Sequence, residues 1–356
     1  MKKTGILIIV LALCLFLVSA CTQNEAEPQT TDPGNTEAET VTITDVHGRS
    51  VTVPKNPQKI AISGLQTLSF AIVGELDKVC AVVNGSNYVP YFPELADKEL
   101  AYINDDDTIN MELLLNADPD VVFYRTASAD DENIKLMEDA GFPVVCELGL
   151  TYEQQIQCIT FIGEIFGEEA TAKAEAFTTY YRDVYEGLQS KYADIPDEDR
   201  PTFIAMWSRE AGNYRPAAEG NVNAEFMTML GGKNAYDGEA TIDANIEQML
   251  EWDPDIIVFL TDKALYDTHL ADPAFNQLKA VQNAQTYVTP LGVGSWSTPT
   301  PDNALTLQWM ASILHPEDYA DFDLAATVKD FYSTFYGIEM SDEEVAMRLQ
   351  GENPLQ

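Results

Sequence analysis

The strongest constraint on the fold is a sequence unit that occurs twice. Residues 110–120 read Asn-Met-Glu-Leu-Leu-Leu-Asn-Ala-Asp-Pro-Asp, and residues 245–255 read Asn-Ile-Glu-Gln-Met-Leu-Glu-Trp-Asp-Pro-Asp. An apolar run follows each copy, at 121–123 and at 256–258. Proline cannot continue a helix and its fixed φ opens a turn, so each copy predicts a short helix, a turn and a buried strand. One such unit in each half of the chain predicts two lobes of similar construction.

Short apolar runs alternate with helical segments over most of the chain, and this alternation predicts parallel α/β sheets. In front of them, Val41 to Val53 alternates apolar and polar residues around His47-Gly48-Arg49, which predicts a β-hairpin. The predicted strands of the two sheets are Lys59–Ser63, Val79–Val83, Val121–Tyr124 and Val144–Glu147 in the first half, and Phe203–Trp207, Ile256–Leu260 and Tyr287–Thr289 in the second.

A long helical stretch separates the two sets of strands. Tyr152 to Phe166 reads as one helix that ends at Gly167, and Glu168 to Lys191 reads as a second. The second helix would have about 24 residues and a length of about 36 Å at ~1.5 Å per residue. A helix of this length suits a rigid bridge between two lobes. We therefore predict an N-terminal lobe over 41–167, a bridging helix over 168–193 and a C-terminal lobe over 194–356.

The first forty residues predict an exported and tethered protein. Lys2 and Lys3 precede an apolar run, and Ser19-Ala20 precede Cys21. This order is typical of a secretory signal over residues 1–20, and its apolar run is shorter than the ~20 residues of a membrane span. The position of Cys21 resembles the lipobox of bacterial lipoproteins, whose thiol takes a diacylglycerol; an ordinary signal peptide with an incidental cysteine is the alternative. Residues 21–40 would form the lipidated cysteine and a flexible polar linker, at the extracytoplasmic face of the cell membrane.

Charge and cysteine content exclude several classes of function. The chain has 58 acidic and 20 basic residues, for a net charge of −38, which argues against nucleic acid and anionic lipid as partners. Cys14 would leave with the signal. Cys80, Cys146 and Cys158 then remain, and we expect buried small side chains rather than a disulfide or a metal site. The three histidines, His47, His269 and His315, are scattered, so we expect no direct metal chelation.

Ligands of open α/β sheets bind beyond the carboxyl ends of the strands, which places the candidate ligand-binding residues at those ends in each lobe. Three of the seven arginines lie just past predicted strand ends, and they suit an anionic ligand group. Aromatic residues collect at the same ends and could face a bulky ligand. The alternative is ordinary ion pairing and packing. The candidate ligand-binding residues are Gln66, Tyr88, Arg125, Trp207, Arg209, Tyr214, Arg215 and Trp296.

The segments that resemble catalytic motifs are incomplete, which predicts a binding protein rather than an enzyme. Residues 292–295 are not a GxSxG elbow, and residues 231–233 lack the Ser or Thr and the earlier Gly of a P-loop. No cofactor is therefore expected. A lipid-anchored extracellular hydrolase is the alternative from another class, and turnover of an ester or glycoside by the purified protein would favour it.

Four landmarks together resemble the substrate-binding proteins of ABC importers of the iron-siderophore, haem and cobalamin type. They cover residues 41 to about 337, and their order and spacing are more specific than any one of them. The landmarks are Asp45 to Pro54, the unit from Asn110 to Asp120, Leu230 to Asn234 with the second unit, and the segment from Pro299 to Glu317. The resemblance implies two α/β lobes joined by one long helix, with the ligand between lobes that move little because the bridge is stiff.

The resemblance also implies partners and a ligand class. In related proteins the Glu of each unit pairs with arginines of the permease, which assigns docking to Glu112 and Glu247; the alternative is that each Glu only caps or solvates its helix. The implied partners are an ABC permease and its ATPase, and we expect a monomer. A ferric siderophore is the favoured ligand, which would carry any metal already wrapped in an organic complex, and haem, a corrinoid and a molybdate-type oxyanion stay open.

Overall fold

The computed structural model describes residues 39–103 and 107–354. The predicted signal peptide, Cys21 and nearly all of the predicted linker lie outside these residues. The first described element is an antiparallel hairpin of β1 (Thr40–Thr44) and β2 (Ser50–Pro54). Gly48, at φ +76°, takes the left-handed conformation in its turn, which glycine adopts without a steric cost. The hairpin prediction is confirmed.

The first lobe contains a fully parallel sheet in the order β4-β3-β5-β6. Its strands are β3 (Ile60–Ser63), β4 (Val79–Val83), β5 (Val121–Tyr124) and β6 (Val144–Cys146). The helices around it are α1 (Thr67–Val73), α2 (Met111–Ala117), α3 (Glu132–Asp139) and α4 (Tyr152–Phe166).

The bridging helix α5 (Glu168–Tyr192) follows α4 after a single residue, Gly167. Gly167 has φ +100°, a conformation that ends α4 and lets the chain reverse directly into α5. The start of α4 is fixed by a capping box, because the Thr151 side chain accepts from the Gln154 backbone while the Gln154 side chain accepts from the Thr151 backbone. Both predicted helices are confirmed to within one residue.

The second lobe repeats the plan of the first with one antiparallel addition. Its sheet has the order β11-β10-β7-β8, and β9 pairs with β7. The strands are β7 (Thr202–Trp207), β8 (Arg215–Pro216), β9 (Lys233–Asn234), β10 (Ile256–Phe259) and β11 (Thr286–Val288). Only β8 runs antiparallel in this sheet, as far as the described residues show. The sequence pattern missed β8 and β9 because two residues carry no periodicity.

Seven helices follow α5 in the described part of the chain, and short 3₁₀ turns connect several elements. The helices are α6 (Val222–Met229), α7 (Ile246–Trp252), α8 (Lys263–Leu270), α9 (Lys279–Gln282), α10 (Asn303–Leu314), α11 (Leu324–Tyr336) and α12 (Asp342–Leu349). The 3₁₀ turns are Gly64–Gln66, Leu76–Lys78, Ser86–Tyr88, Pro93–Leu95, Asp197–Asp199, Phe275–Gln277 and Pro316–Tyr319.

The repeated unit folds in the same way in both lobes. Asn110 and Asn245 cap α2 and α7 through their side chains, and the first Asp of each Asp-Pro-Asp turn ends its helix in the left-handed region. The last Asp of each turn binds the start of the neighbouring strand. Asp120 accepts from the Lys59 backbone at 2.9 Å, and Asp255 accepts from the Thr202 backbone at 2.8 Å. The unit therefore sets the register at which each sheet begins.

Both sheets share one apolar core, which passes through α5. In β5, Val121 and Phe123 face this shared core, whereas the alternate residues face a smaller cluster on the outer side of the first lobe. In β10, Ile256 and Val258 face the shared core, and Ile257 and Phe259 face a corresponding outer cluster of the second lobe. Because one continuous core joins the lobes, large movements between them would expose apolar surface.

The predicted fold class is confirmed: two α/β lobes with mostly parallel sheets are joined by one long helix. The exact domain boundaries stay a prediction, since the C-terminal helices serve both halves; α11 packs on α1 of the first lobe. Within the part of the chain that the structure describes, no helix has the length and apolar character needed to cross a membrane.

Close packing of α4 on α5 generates a stability prediction. A Cβ added to Gly163 would lie 2.7 Å from the Ala174 Cβ and 3.1 Å from the Ala170 carbonyl oxygen, so the helices would have to separate. Gly163→Ala should lower the free energy of unfolding, because overpacking costs about 1–3 kcal/mol and a helical alanine returns at most about 1 kcal/mol. The matched control is Gly187→Ala on exposed α5 surface, which should raise stability by about 0.5–1 kcal/mol in urea unfolding. Equal effects of the two substitutions would contradict the packing account.

Candidate functional site

Two charged residues meet at the carboxyl edge of the first sheet. Arg125 directly follows β5 and Glu147 directly follows β6. These strands are parallel neighbours, with Tyr124 opposite Cys146, and the Glu147 backbone N–H donates to the Tyr124 carbonyl at 3.0 Å. Equivalent ends of parallel strands lie at one edge, which is where ligands of open α/β sheets bind.

A small cavity of about 20 Å³ lies at this edge, and residues of both lobes line it. Its volume is close to what a single water molecule needs. Residues 299–301, which precede α10, provide the side that belongs to the second lobe. The lining residues are Leu65, Ser69, Arg125, Glu147, Leu148, Gly149, Gln155, Cys158, Ile159, Pro299, Thr300 and Pro301.

The Arg125 side chain is half-buried, and it has neither a hydrogen bond nor an ion pair to another residue within 39–103 or 107–354. Burial lowers the pKa of Arg125, while the negative charge of Glu147 and the nearby Tyr88 oppose that shift. Guanidinium groups stay protonated in proteins. The cavity therefore presents a positive charge whose donors are free to bind a ligand.

Glu147 is buried beside Arg125. Burial raises the pKa of its carboxyl group, while hydrogen bonds from Gln66, Cys158 and Ser69 and the charge of Arg125 oppose that shift. Gln66 is held in place, since its side-chain oxygen accepts from the Ser63 backbone N–H at 2.7 Å. The cavity wall thus contains a carboxyl group whose charged form is poorly solvated.

Further polar groups at this edge complete its chemistry. Tyr88 is buried, and burial together with the charge of Asp302 raises the pKa of its phenol, whereas Arg125 lowers it. Thr300 lines the cavity, and its hydroxyl is buried without a hydrogen-bond partner in the described parts of the chain. A buried hydroxyl without a partner costs free energy, so a ligand oxygen at Thr300 would be stabilising.

The second-lobe candidates are more widely spread. Trp207 ends β7 and is half-buried, and Arg209 is exposed in the loop that follows. Tyr214 is fully buried and stacks on Phe275, with ring centroids 5.6 Å apart. The remaining two candidates are also engaged: Arg215 forms an ion pair with Asp243 at 3.1 Å, and the indole N–H of Trp296 donates to the Tyr332 hydroxyl at 3.2 Å.

The structure therefore brings Gln66 and Arg125 close to Glu147, and Tyr88 close to Arg125. Tyr214, Arg215 and Trp296 make their contacts within the second half of the chain, and the binding role of all eight candidates stays a prediction. The sequence pattern missed Glu147 because it was assigned to the end of a strand, and it did not select Ser69, Cys158 or Thr300 as residues of the site, although the burial of Cys158 was expected. The rule that used strand ends to select Arg125 could also have selected Glu147.

The segment after β11 is fixed by a buried carboxyl group, Asp302. The hydroxyls of Tyr332 and Tyr336 each donate to it at 2.8 Å, and the Gly294 backbone N–H donates at 3.2 Å. Burial raises the Asp302 pKa to about 6, while these hydrogen bonds and the charge of Arg348 oppose the shift. The second-lobe wall of the cavity is thereby held to the C-terminal helices.

Two contacts tie this wall to the first lobe. The Gln155 side chain in α4 donates to the Asn303 side-chain oxygen at the start of α10, at 2.9 Å. Arg348 in α12 donates to the Gly292 carbonyl at 2.7 Å and also to the Tyr91 hydroxyl of the first lobe. The base of the cleft is therefore crossed by buried hydrogen bonds.

Ser208 and His269 resemble a nucleophile and base in distance only. The His269 Nε2 lies 2.8 Å from the Ser208 hydroxyl, but that hydroxyl is also within hydrogen-bonding distance of the Glu210 and Asn213 carbonyl oxygens. The other ring nitrogen of His269, Nδ1, is buried without a hydrogen-bond partner among the described residues, so no third group orients the imidazole as a general base, and burial lowers its pKa. This arrangement stabilises the loop after β7 and does not activate a nucleophile.

The three remaining cysteines are free thiols; Cys146 and Cys158 are buried and Cys80 is partly buried. Among residues 39–103 and 107–354, no group of three or more His, Cys, Asp or Glu side chains is placed to hold a metal ion.

The two docking candidates occupy equivalent positions. Glu112 lies in the first turn of α2 and Glu247 in the first turn of α7, and both side chains are exposed. Neither forms an ion pair within the described ranges of the chain. Each carboxylate is therefore available to a partner, and their docking role stays a prediction.

Asp302 generates a prediction on the pH dependence of stability. Its pKa is about 6 in the folded protein against an ordinary value of 3.8, so the folded form keeps its proton over a range in which the unfolded form loses it. Stability should therefore fall by about 3 kcal/mol from this group as pH rises from about 4 to about 6. Urea unfolding should show that Asp302→Asn removes this fall, whereas the exposed control Asp183→Asn keeps it. An unchanged pH profile in Asp302→Asn would contradict the assignment.

Comparison with known proteins gives three findings. A family model described as "Periplasmic binding protein" matches residues 60–291. The molybdate-binding protein MolA of Haemophilus influenzae is 28% identical over 85% of this chain and 93% of its own length, and the Fe(3+)-citrate-binding protein YfmC of Bacillus subtilis is 22% identical over 80% and 89%. A periplasmic solute binding protein from Veillonella parvula has the same fold, with a TM-score of 0.73 and 24% identity over 87% of this chain and 97% of that one.

Proposed function

Because this chain belongs to the periplasmic binding protein family, whose members are the solute-binding proteins of ABC transporters rather than enzymes, we propose that it captures a small oxyanion beside Arg125. The observation that carries the proposal is the half-buried Arg125 guanidinium, which has no counter-ion within ion-pair distance among the described residues and lines a cavity between the lobes. The alternative of an extracellular hydrolase is wrong, because the family binds solutes.

The groups around Arg125 suit the oxygen atoms of an anion. A guanidinium offers a planar fork of donors that matches an oxyanion in two places. Thr300 adds a hydroxyl from the other lobe that has no partner of its own in the described chain. A ligand held by both residues would bridge the two lobes at the base of the cleft.

Size and similarity both support an oxyanion. A cavity of about 20 Å³ must widen for either ligand, and a compact ion requires less widening than a siderophore complex. The relative at 28% identity is named as a molybdate-binding protein. We therefore place a molybdate-type oxyanion ahead of the ferric siderophore that the sequence favoured.

An iron complex is the second candidate ligand. A relative at 22% identity is named as an Fe(3+)-citrate-binding protein, and ferric citrate is also anionic. Tyr88 and Trp207 lie at strand ends that a larger ligand would reach, and the exposed Arg209 could pair with its outer carboxylates. This ligand needs a wider cleft than the one described, so calorimetry with molybdate and with ferric citrate distinguishes the two.

Arg125→Ala tests the site. The substitution should weaken molybdate binding by about 1.5–3 kcal/mol, since it removes charged hydrogen bonds from a site with little solvent. Isothermal titration calorimetry measures the change. Arg182→Ala removes the same charge from the exposed surface of α5 and should leave affinity unchanged. Unchanged affinity in Arg125→Ala would show that the ligand lies elsewhere.

The same proposal includes the location and the partner. The protein acts outside the cytoplasm, as its family does, and it delivers its ligand to an ABC permease and ATPase. Glu112 and Glu247 would contact the permease, one from each lobe, and attachment through Cys21 would keep a monomeric receptor close to the transporter. Tethering of this kind raises the effective concentration of one partner at the other.

Charge reversal tests the docking role. The double substitution Glu112→Arg and Glu247→Arg should abolish ligand uptake by cells while the purified protein binds its ligand normally, because like charges would meet at the permease. The matched control reverses two exposed carboxylates of α5, Glu175→Arg and Glu186→Arg, and should retain uptake. Normal uptake in the first double variant would contradict docking through these residues.

A further inference from the structure

We infer that Glu147 couples ligand capture to protons: the site takes up its anion together with one proton, which binds the Glu147 carboxylate. This inference rests on the proposed function, since it concerns the same cavity. It gives Glu147 a regulatory role that is separate from direct binding of the anion by Arg125. No covalent bond of the ligand changes. The proton comes from solvent, and Arg125 keeps its positive charge throughout.

The geometry places Glu147 where an anion must lie close to it. Arg125 and Glu147 leave adjacent parallel strands at the same edge, and both line the small cavity between the lobes. They interact electrostatically without coming within ion-pair distance of each other in the described structure. An anion that binds Arg125 therefore enters a space that a carboxyl group also borders.

Charge balance then decides which state of the cavity accepts the ligand. When Glu147 is ionised, its charge offsets that of Arg125 and the cavity has no net charge. When Glu147 is protonated, the cavity is positive and its carboxyl group can donate a hydrogen bond to the ligand. Like charges are strongly disfavoured where little solvent screens them, so binding an anion raises the proton affinity of Glu147.

The groups around Glu147 allow it to bind a proton under mild conditions. The side chains of Gln66 and Ser69 are uncharged, and burial keeps the Cys158 thiol on α4 protonated by raising its pKa. Arg125 is the cation whose charge acts on the Glu147 carboxyl group. Burial lowers the pKa of Arg125, but a guanidinium stays protonated in proteins, so this positive charge is retained. Burial has already moved Glu147 towards the protonated form, so the anion needs only to complete that shift.

Two other carboxyl groups lie farther out. Asp45 acts on Cys158 from the hairpin, but Arg49 neutralises it in an ion pair of 3.3 Å. Asp302 acts on Tyr88 from the second lobe and titrates at about 6, so it is the competing source of any proton linkage. The experiment must therefore separate Glu147 from Asp302.

Isothermal titration calorimetry of the whole mature protein with molybdate, in buffers of different ionisation enthalpy, counts the protons taken up. At pH values where Glu147 is ionised in the ligand-free protein, the wild type should take up close to one proton, and its affinity should fall by up to about tenfold for each unit of rising pH. Glu147→Gln should take up none and should lose the pH dependence. Glu153→Gln, an exposed substitution in the first turn of α4, should behave as the wild type.

Three results would overturn the inference. Molybdate binding by the wild type without proton uptake would do so even if Glu147→Gln failed to fold. Uptake that persists in Glu147→Gln and disappears in Asp302→Asn would assign the proton to Asp302. If the wild type failed to bind molybdate at every pH, both the proposed oxyanion function and this inference would be rejected. The other two results would reject only the inference.

Discussion

The whole arrangement depends on the packing of one helix, α5, between the two lobes. Its apolar face is part of a core to which both sheets contribute their inner residues, and it packs so closely on α4 that Gly163 has no room for a methyl group. A core shared in this way fixes the two lobes relative to each other far more firmly than a flexible hinge would. The cleft between them therefore has a nearly preset width, and ligand size becomes a selective property of the fold.

The position of the site follows from the parallel strands. Parallel neighbours end at one edge, so Arg125 and Glu147 meet without being close in sequence, and the segment at 299–301 of the other lobe closes the space above them. Buried hydrogen bonds around Asp302 and Arg348 then hold that segment in place. Burial makes the unpaired charges of Arg125 and Glu147 costly in free energy. An anion bound to Arg125 and a proton bound to Glu147 would together remove this cost.

Local patterns predicted most of the fold and part of the site. Helices α4 and α5, the hairpin and the parallel strands were found because capping residues, Gly167 and apolar runs act locally. Arg125 was found from its place after a strand. The surroundings of Tyr214 and Trp296 could not be predicted from local patterns, because their burial depends on partners such as Phe275 and Tyr332 that lie far along the chain. The same strand-end signal marked Glu147, but a one-residue error in the strand boundary hid it.

The most direct test of the account is a crystal structure of the protein with molybdate, with the metal located by its anomalous scattering. The account predicts one dominant peak between the lobes, with its oxygens in contact with the Arg125 guanidinium and the Thr300 hydroxyl. A peak at any other place, or a cleft that accepts ferric citrate and leaves molybdate in solution, would contradict it.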